Sequence, residues 1–204
     1  MIGNDVVDFA DPSRLQAYLR PRFVERVCGF DERAALATST RPGRLICALF
    51  AAKEAAYKVV AKLDPAVVFA HARFVVSPRF DHVKLGRLRL RLRLLTGDDW
   101  AHAIAWIGCP SPIHGFDFIE DHVDPSAAVR ALVCQRLALR TGRPSRHFAV
   151  MRQERPGAWD GLGPPKLVVA GLAEPLDMSL SADGRLIAFA APRCAALCSR
   201  VSPR

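Results

Sequence analysis

The chain has 204 residues, half of them hydrophobic, enough to bury a substantial core in one domain or two packed halves and to exclude a mainly disordered state. Its 29 basic against 20 acidic side chains give a net charge of +9, which favours an acidic or phosphorylated partner without choosing among nucleic acid, anionic protein and small molecule. The cysteines at 28, 47, 109, 134, 194 and 198 form no CxxC pair and keep no regular spacing, so free thiols are expected in place of a disulfide framework or zinc site.

In chain order, Ile2 to Phe9 reads as a short strand ending in acids. Asp11-Pro12-Ser13 opens a helical region, Pro21 interrupts it, and Asp31-Glu32 is placed to cap another short helix. From Arg44 to Leu63 the apolar residues Leu45, Ile46, Leu49, Phe50, Tyr57, Val60 and Leu63 recur at helical spacing with no internal Gly or Pro. Strands are expected at Val67 to Ser77, Arg87 to Leu95 and Ala101 to Ile107. After Pro110 and Pro112 a second helix starts at Asp124-Pro125-Ser126 and runs to about Arg140, before Gly142. Strands follow at His147 to Arg152, Lys166 to Ala170, Leu176 to Ser179 and Arg185 to Ala191, with a loose tail after Pro192. Helix followed by strands thus occurs twice. The expected fold is α+β, with two similar halves, 1–110 and 111–204, each a helix on a small, mostly antiparallel sheet around a cleft. The opening MIGNDVVDF carries acids where a secretory signal carries basic residues, and the longest apolar run, near Leu45, is too short to span a bilayer, so a cytoplasmic location is expected.

Two charge patterns stand out. Arg87, Arg89, Arg91 and Arg93 alternate with Leu88, Leu90, Leu92 and Leu94, which puts the guanidinium groups on one strand face and the leucines in the core; the arginine face reads as solvated, a guard against edge pairing. A dock for an acidic partner is the alternative. Only five of the 29 cations are lysines, and three of these, Lys53, Lys58 and Lys62, lie within FAAKEAAYKVVAK beside a single acid, Glu54. Lysine offers a compact, mobile point charge where arginine offers a planar fork. Glu54, Lys58 and Lys62 share one helix row, which reads either as an ordinary i,i+4 pair or as the rim of a cleft. With Asp5 and Asp8 ending the first strand, the carboxylates offer hard oxygen ligands for Mg²⁺ and the lysines offer cations for phosphates. His102 reads as a strand neighbour and not as a ligand.

GNDVVD at Gly3 to Asp8, followed about fifty residues later by FAAKEAAYK at Phe50 to Lys58, resembles the paired signature of the 4′-phosphopantetheinyl transferases, roughly G-x-D-x-x-E/D and F/W-x-x-K-E-A-x-x-K. The resemblance implies an Mg²⁺-dependent enzyme that moves the phosphopantetheine arm of coenzyme A to a serine of an acidic apo acyl or peptidyl carrier protein, in fatty acid, polyketide or nonribosomal peptide synthesis. It implies metal-ligand roles for Asp5 and Glu54, with Asp8 at the second acid of the motif. It makes Glu54 the base toward the carrier serine and Lys58 the contact to phosphate and to the departing 3′,5′-ADP. Lys53 and Lys62 would support the coenzyme A phosphates nearby.

SLSADGRLIAFA, Ser179 to Ala190, and GPPKL, Gly163 to Leu167, resemble the S-x-S-H and G-K/R-P-x-L segments of the larger, two-half members. Those segments precede the other two motifs in the larger members and follow them here, as in a permuted chain. Ala182 replaces the histidine and Pro164 the basic residue, so Ser181, Lys166 and Arg185 become the expected cofactor contacts, with Asp183 beside them. A catalytically impaired homologue and a basic module binding nucleic acid or an acidic protein are the alternatives. With two tyrosines and three tryptophans, none beside the arginines, the composition does not favour nucleic acid.

Overall fold

The structure is a computed structural model, and it describes residues 1–156 and 161–198. Strand β1 (Ile2–Asp8) is buried along its whole length. Helix α1 (Pro12–Tyr18) is capped by Asp11, whose side chain accepts from Ser13 N. Pro21 does not merely interrupt this region; it is the first residue of a new helix, α2 (Pro21–Val27), where its missing N–H costs nothing. Helix α3 (Phe30–Thr38) is capped by Gly29, not by the acids: Glu32 reaches back and accepts from Gly29 N at 2.8 Å.

Helix α4 (Pro42–Leu63) is the centre of the first core, burying Ile46, Leu49, Ala52, Ala56 and Val59 against one sheet. That sheet runs in the order β1-β5-β4-β3-β2, all antiparallel, with β2 (Val75–Val76), β3 (His82–Leu85), β4 (Leu88–Thr96) and β5 (Trp100–Trp106). The strand expected over Val67 to Ser77 is confined to Val75–Val76, because His71–Arg73 forms a 3₁₀ turn ahead of it. Strand β3 was not anticipated; it pairs with β4 across Gly86, whose φ of +56° suits a residue without Cβ. In β4, Leu90 and Leu92 are buried and Arg89, Arg91 and Arg93 exposed. The arginine face is solvated as expected, but β4 lies between β3 and β5, so the arginines guard no sheet edge.

The remainder has its own core. Helix α5 (Pro125–Thr141) begins at Asp124, which accepts from Ser126 N and Ala127 N, and ends at Gly142 with φ +72°. It packs on β6 (Ile113–Phe118), β7 (Phe148–Met151), β10 (Ser179–Asp183) and β11 (Leu186–Ala191), burying Val129, Leu132, Val133 and Leu137 with Phe189 and Leu167. The strands form two sheets, β10-β11-β6 and β7-β8-β9, with β8 (Lys166–Val169) and β9 (Leu176–Asp177). Strand β6 was not anticipated; its His, Gly and Asp obscure the alternation. The expected loose tail instead starts with a helical turn, α6 (Ala195–Cys198), that buries Leu197; residues 199–204 lie outside the described ones. The fold is α+β. Among the described residues, no helix is long and apolar enough to cross a membrane, and Cys28, Cys47, Cys109, Cys134 and Cys194 are free thiols.

His102 sits on β5 with no exposed surface, 3.4 Å from the Asn4 amide. Burial, with the charges of His114 and Lys58, pushes its ring down to about 3. An unfolded imidazole binds its proton below about 6.5, whereas this one resists until about 3, so acidification across that interval favours the unfolded chain. We expect urea melts to lose stability from pH 6.5 to 4 more steeply in the parent than in His102→Gln, by up to about 1.4 kcal/mol per pH unit. Equal slopes would show that the buried ring does not drive the acid sensitivity.

Candidate active site

The outer edge of β1 organises the site. Its inner edge pairs with β5, leaving the alternate N–H groups of Ile2, Asn4, Val6 and Asp8 facing away. These do not enter a backbone ladder. They donate to side chains: Ile2 N to Asp177 Oδ2 at 2.7 Å, Asn4 N to Ser179 Oγ at 2.9 Å, Val6 N to Ser181 Oγ at 3.3 Å and Asp8 N to Asp183 Oδ2 at 2.9 Å. The polar alternation D-x-S-x-S-x-D of residues 177–183 therefore mirrors the period of two of the strand it meets. Two β1 carbonyls on the same edge take lysines from α4: Asn4 O accepts from Lys58 at 2.9 Å and Ile2 O from Lys62 at 2.6 Å. The close approach of α4 depends on Gly3, where a Cβ would stand 2.1 Å from Ala55 O.

Lys58 Nζ is the hub. Besides Asn4 O it reaches Asp5 Oδ1 at 2.8 Å and Ser181 Oγ at 3.4 Å, and the Ser181 hydroxyl donates to Asp5 Oδ1 at 2.9 Å. Asp5 is almost wholly buried. Burial raises its carboxyl above the usual carboxylate range against the pull of Lys58, and the charge of Glu54 pushes the same way, which puts both carboxylates in one electrostatic neighbourhood. Glu54 is partly open to solvent, with His71 Nε2 3.4 Å from its Oε1.

Several expected site residues stand elsewhere. Asp8 is held by Arg185, through Nε at 2.9 Å, Nη2 at 3.0 Å and the backbone N at 2.9 Å. Burial pushes its carboxyl up, but the bonds from Arg185 and Ala10 N outweigh this and hold it below the usual range. A carboxylate whose oxygens are taken by a guanidinium fork is not available to a metal, and Arg185, which also grips Asp99, is not a free phosphate contact. Lys53 has no exposed surface and points away from the hub, donating to Glu32 Oε2 at 2.5 Å and Val27 O at 2.7 Å. It is a buried ion pair of the core, not a cofactor ligand. Lys62 spends its three donors on Ile2 O, Asp177 Oδ1 and Met178 O, so it too has none left for a phosphate. Burial pushes its ammonium down, against Asp177. Lys166 lies on β8 opposite Asp177, at the Lys62 end of the seam.

Beside the hub, on the far side of Ser181, is a cavity of about 460 Å³ lined by Ser126, Arg130, Arg152, Pro165, Ser181 and Ala182. Arg130 and Arg152 were missed in the sequence: the chain has arginine throughout, and only the fold brings these two to the S-x-S segment. The aromatic surroundings of His71 were equally invisible, since the turn that carries it was read as strand.

Lys62 makes a falsifiable case for the seam. Replacing it with Met keeps the stem, leaves Asp177 without its cation and removes the ammonium from two carbonyls, which should cost on the order of 3 kcal/mol and lower the melting temperature by roughly 6–12 °C. A melt within 1 °C of the parent would show that the seam does not depend on it.

A family model described as the 4′-phosphopantetheinyl transferase superfamily matches residues 1–105, the part that holds Asp5, Glu54 and Lys58. No curated protein matches. Among solved structures, the chain is similar to the holo-(acyl-carrier-protein) synthase of Neisseria meningitidis, at 19% identity and a TM-score of 0.40, over 51% of this chain and 94% of that one. It is similar to the Helicobacter pylori enzyme in complex with coenzyme A, at 19% identity and 0.39, over 52% and 97%. The Thermotoga maritima synthase matches at 14% identity and 0.37, over 85% and 83%. With its family model spanning half of its length, the chain belongs to the 4′-phosphopantetheinyl transferase superfamily and is an enzyme of that class.

Proposed function

We propose that this enzyme transfers the 4′-phosphopantetheine arm of coenzyme A to a serine of an apo acyl or peptidyl carrier protein, with Mg²⁺. The observation that carries the reading is the convergence of Asp5, Lys58 and Ser181 at the junction of β1, α4 and β10, with Glu54 beside them.

The donor set suits a hard cation. Asp5 and Glu54, which share one electrostatic neighbourhood, would supply two carboxylates and leave the rest of the shell to phosphate and water, as Mg²⁺ prefers. Asp5, a carboxyl raised by burial, is a group that a divalent cation would stabilise in its charged form. Bound Mg²⁺ supplies charge neutralisation at the diphosphate. The cavity behind Ser181, about 460 Å³, is large enough for a 3′,5′-ADP group; Arg130, bonded to Ser126, and Arg152, bonded to the Gly163 and Leu162 carbonyls, stand on its wall with Asp124. In the reaction a bond forms between the serine oxygen and the phosphorus that carries the pantetheine arm, and the bond from that phosphorus to 3′,5′-ADP breaks. Glu54, exposed enough to meet an incoming hydroxyl, takes the serine proton. Lys58 swings from Asp5 onto the departing diphosphate oxygen, a move its flexible stem allows and a planar guanidinium would hinder. The net charge of +9 suits an acidic carrier protein.

The test is incubation with apo carrier proteins, coenzyme A and Mg²⁺, read by mass spectrometry for the phosphopantetheine adduct. The parent should give the adduct and chelation should abolish it. Glu54→Gln should lose about 10²–10⁴-fold in rate with little change in melting temperature. Lys58→Met should lose transfer and also melt lower, because Asp5 is left buried without its cation. A parent that modifies no carrier, or a Glu54→Gln protein of normal rate, overturns the proposal.

A further inference from the structure

Two side chains of α4, Phe50 and Glu54, meet one residue from outside the helix, His71. The His71 ring lies between Phe50, stacked at 5.4 Å and 17°, and Phe69, at 3.9 Å and 37°. Phe69 is itself stacked on Tyr57 at 4.2 Å and 15°. Phe50 and Tyr57 are one helical turn before and after Glu54, so the stack fixes the imidazole over that carboxylate. The ring's Nε2 is buried and makes no aligned hydrogen bond; its nearest acid oxygen is Glu54 Oε1 at 3.4 Å. A buried ring nitrogen without a partner is costly, and Glu54 Oε1 at 3.4 Å is the acceptor within reach of it.

We infer that His71 is a positioning residue: its Nε2–H donates to Glu54 and turns that carboxylate toward Asp5, with the Phe50–Phe69 stack holding the ring. This rests on the role proposed for Glu54. The aromatic sandwich prevents the imidazole from following Glu54 out to solvent, so the carboxylate is the partner that moves. An immobile donor at one oxygen leaves the other oxygen to the metal or the serine, the arrangement by which an outer partner orients a ligand.

Two measurements test this, one independent of transfer. Imidazole ¹⁵N spectra of the parent should show His71 as the Nε2–H tautomer; a bare Nε2 with the proton on Nδ1 overturns the inference. Alongside, Mn²⁺ titrations followed by electron paramagnetic resonance, and transfer kinetics, compare His71→Phe, which keeps the stack, with His71→Gln, which restores an N–H near the lost one. His71→Phe should melt near the parent but weaken Mn²⁺ binding or lower kcat by 10–100-fold with the KM for coenzyme A changed less than about threefold. His71→Gln should recover most of the loss. If His71→Phe matches the parent in both Mn²⁺ binding and kcat, the inference is overturned. If the parent itself transfers nothing, the proposed function falls, while the tautomer and the Mn²⁺ isotherms still decide the role of His71.

Discussion

A strand edge must give its backbone groups to something, and in this protein the outer edge of β1 gives them to side chains. Four N–H groups are met by Asp177, Ser179, Ser181 and Asp183, and two carbonyls by Lys58 and Lys62. A backbone ladder would have merged β1 and β10 into one sheet and left no opening between them. Side chains keep the strands farther apart, and Ser181, Asp5 and Lys58 occupy that separation. Joining the two packed cores and building the site are therefore one structural problem with one solution.

The three lysines of α4 divide the work by depth. Lys53 closes a dry ion pair with Glu32, which itself binds Gly29 N and Val76 N and so ties α3 and β2 to the central helix. Lys62, one row along, saturates its three donors across the seam. Lys58 has the same three-pronged pattern, but its partners are one carbonyl, one buried carboxylate and one distant hydroxyl, and it is the most exposed of the three. A tetrahedral ammonium at the end of a slim stem suits all three positions, whereas the planar guanidinium forks of β4 face outward.

Much of this was legible in the sequence. The period of α4, the Asp124 cap and Gly142 end of α5, and the alternation of β4 identify those elements without tertiary help, since each is dictated by residues within a few positions. The short strands were not: β3 and β6 owe their conformation to partners across the sheet, and their polar residues hide the pattern. At the site, motif spacing pointed to Asp5, Glu54, Lys58 and Ser181, and the fold gathers these four. It could not separate them from Asp8, Lys53 and Lys62, because that distinction depends on which acid or carbonyl each faces, with partners 21 to 177 residues away.

The seam also imposes an order on synthesis. Every acceptor that covers β1 lies 175 residues later in the chain. The first core closes only when β5 ends at Trp106, so at translation rates of about 5–20 residues per second it waits roughly 4 to 15 seconds for Asp177 to Asp183 with the β1 edge uncovered. During that interval Ile2, Val6 and Val7 sit on a free edge able to recruit another strand, and the carboxylates at Asp5 and Asp8 are the charges that discourage it. The same acids thus serve the ribosome-bound chain before they serve the finished one.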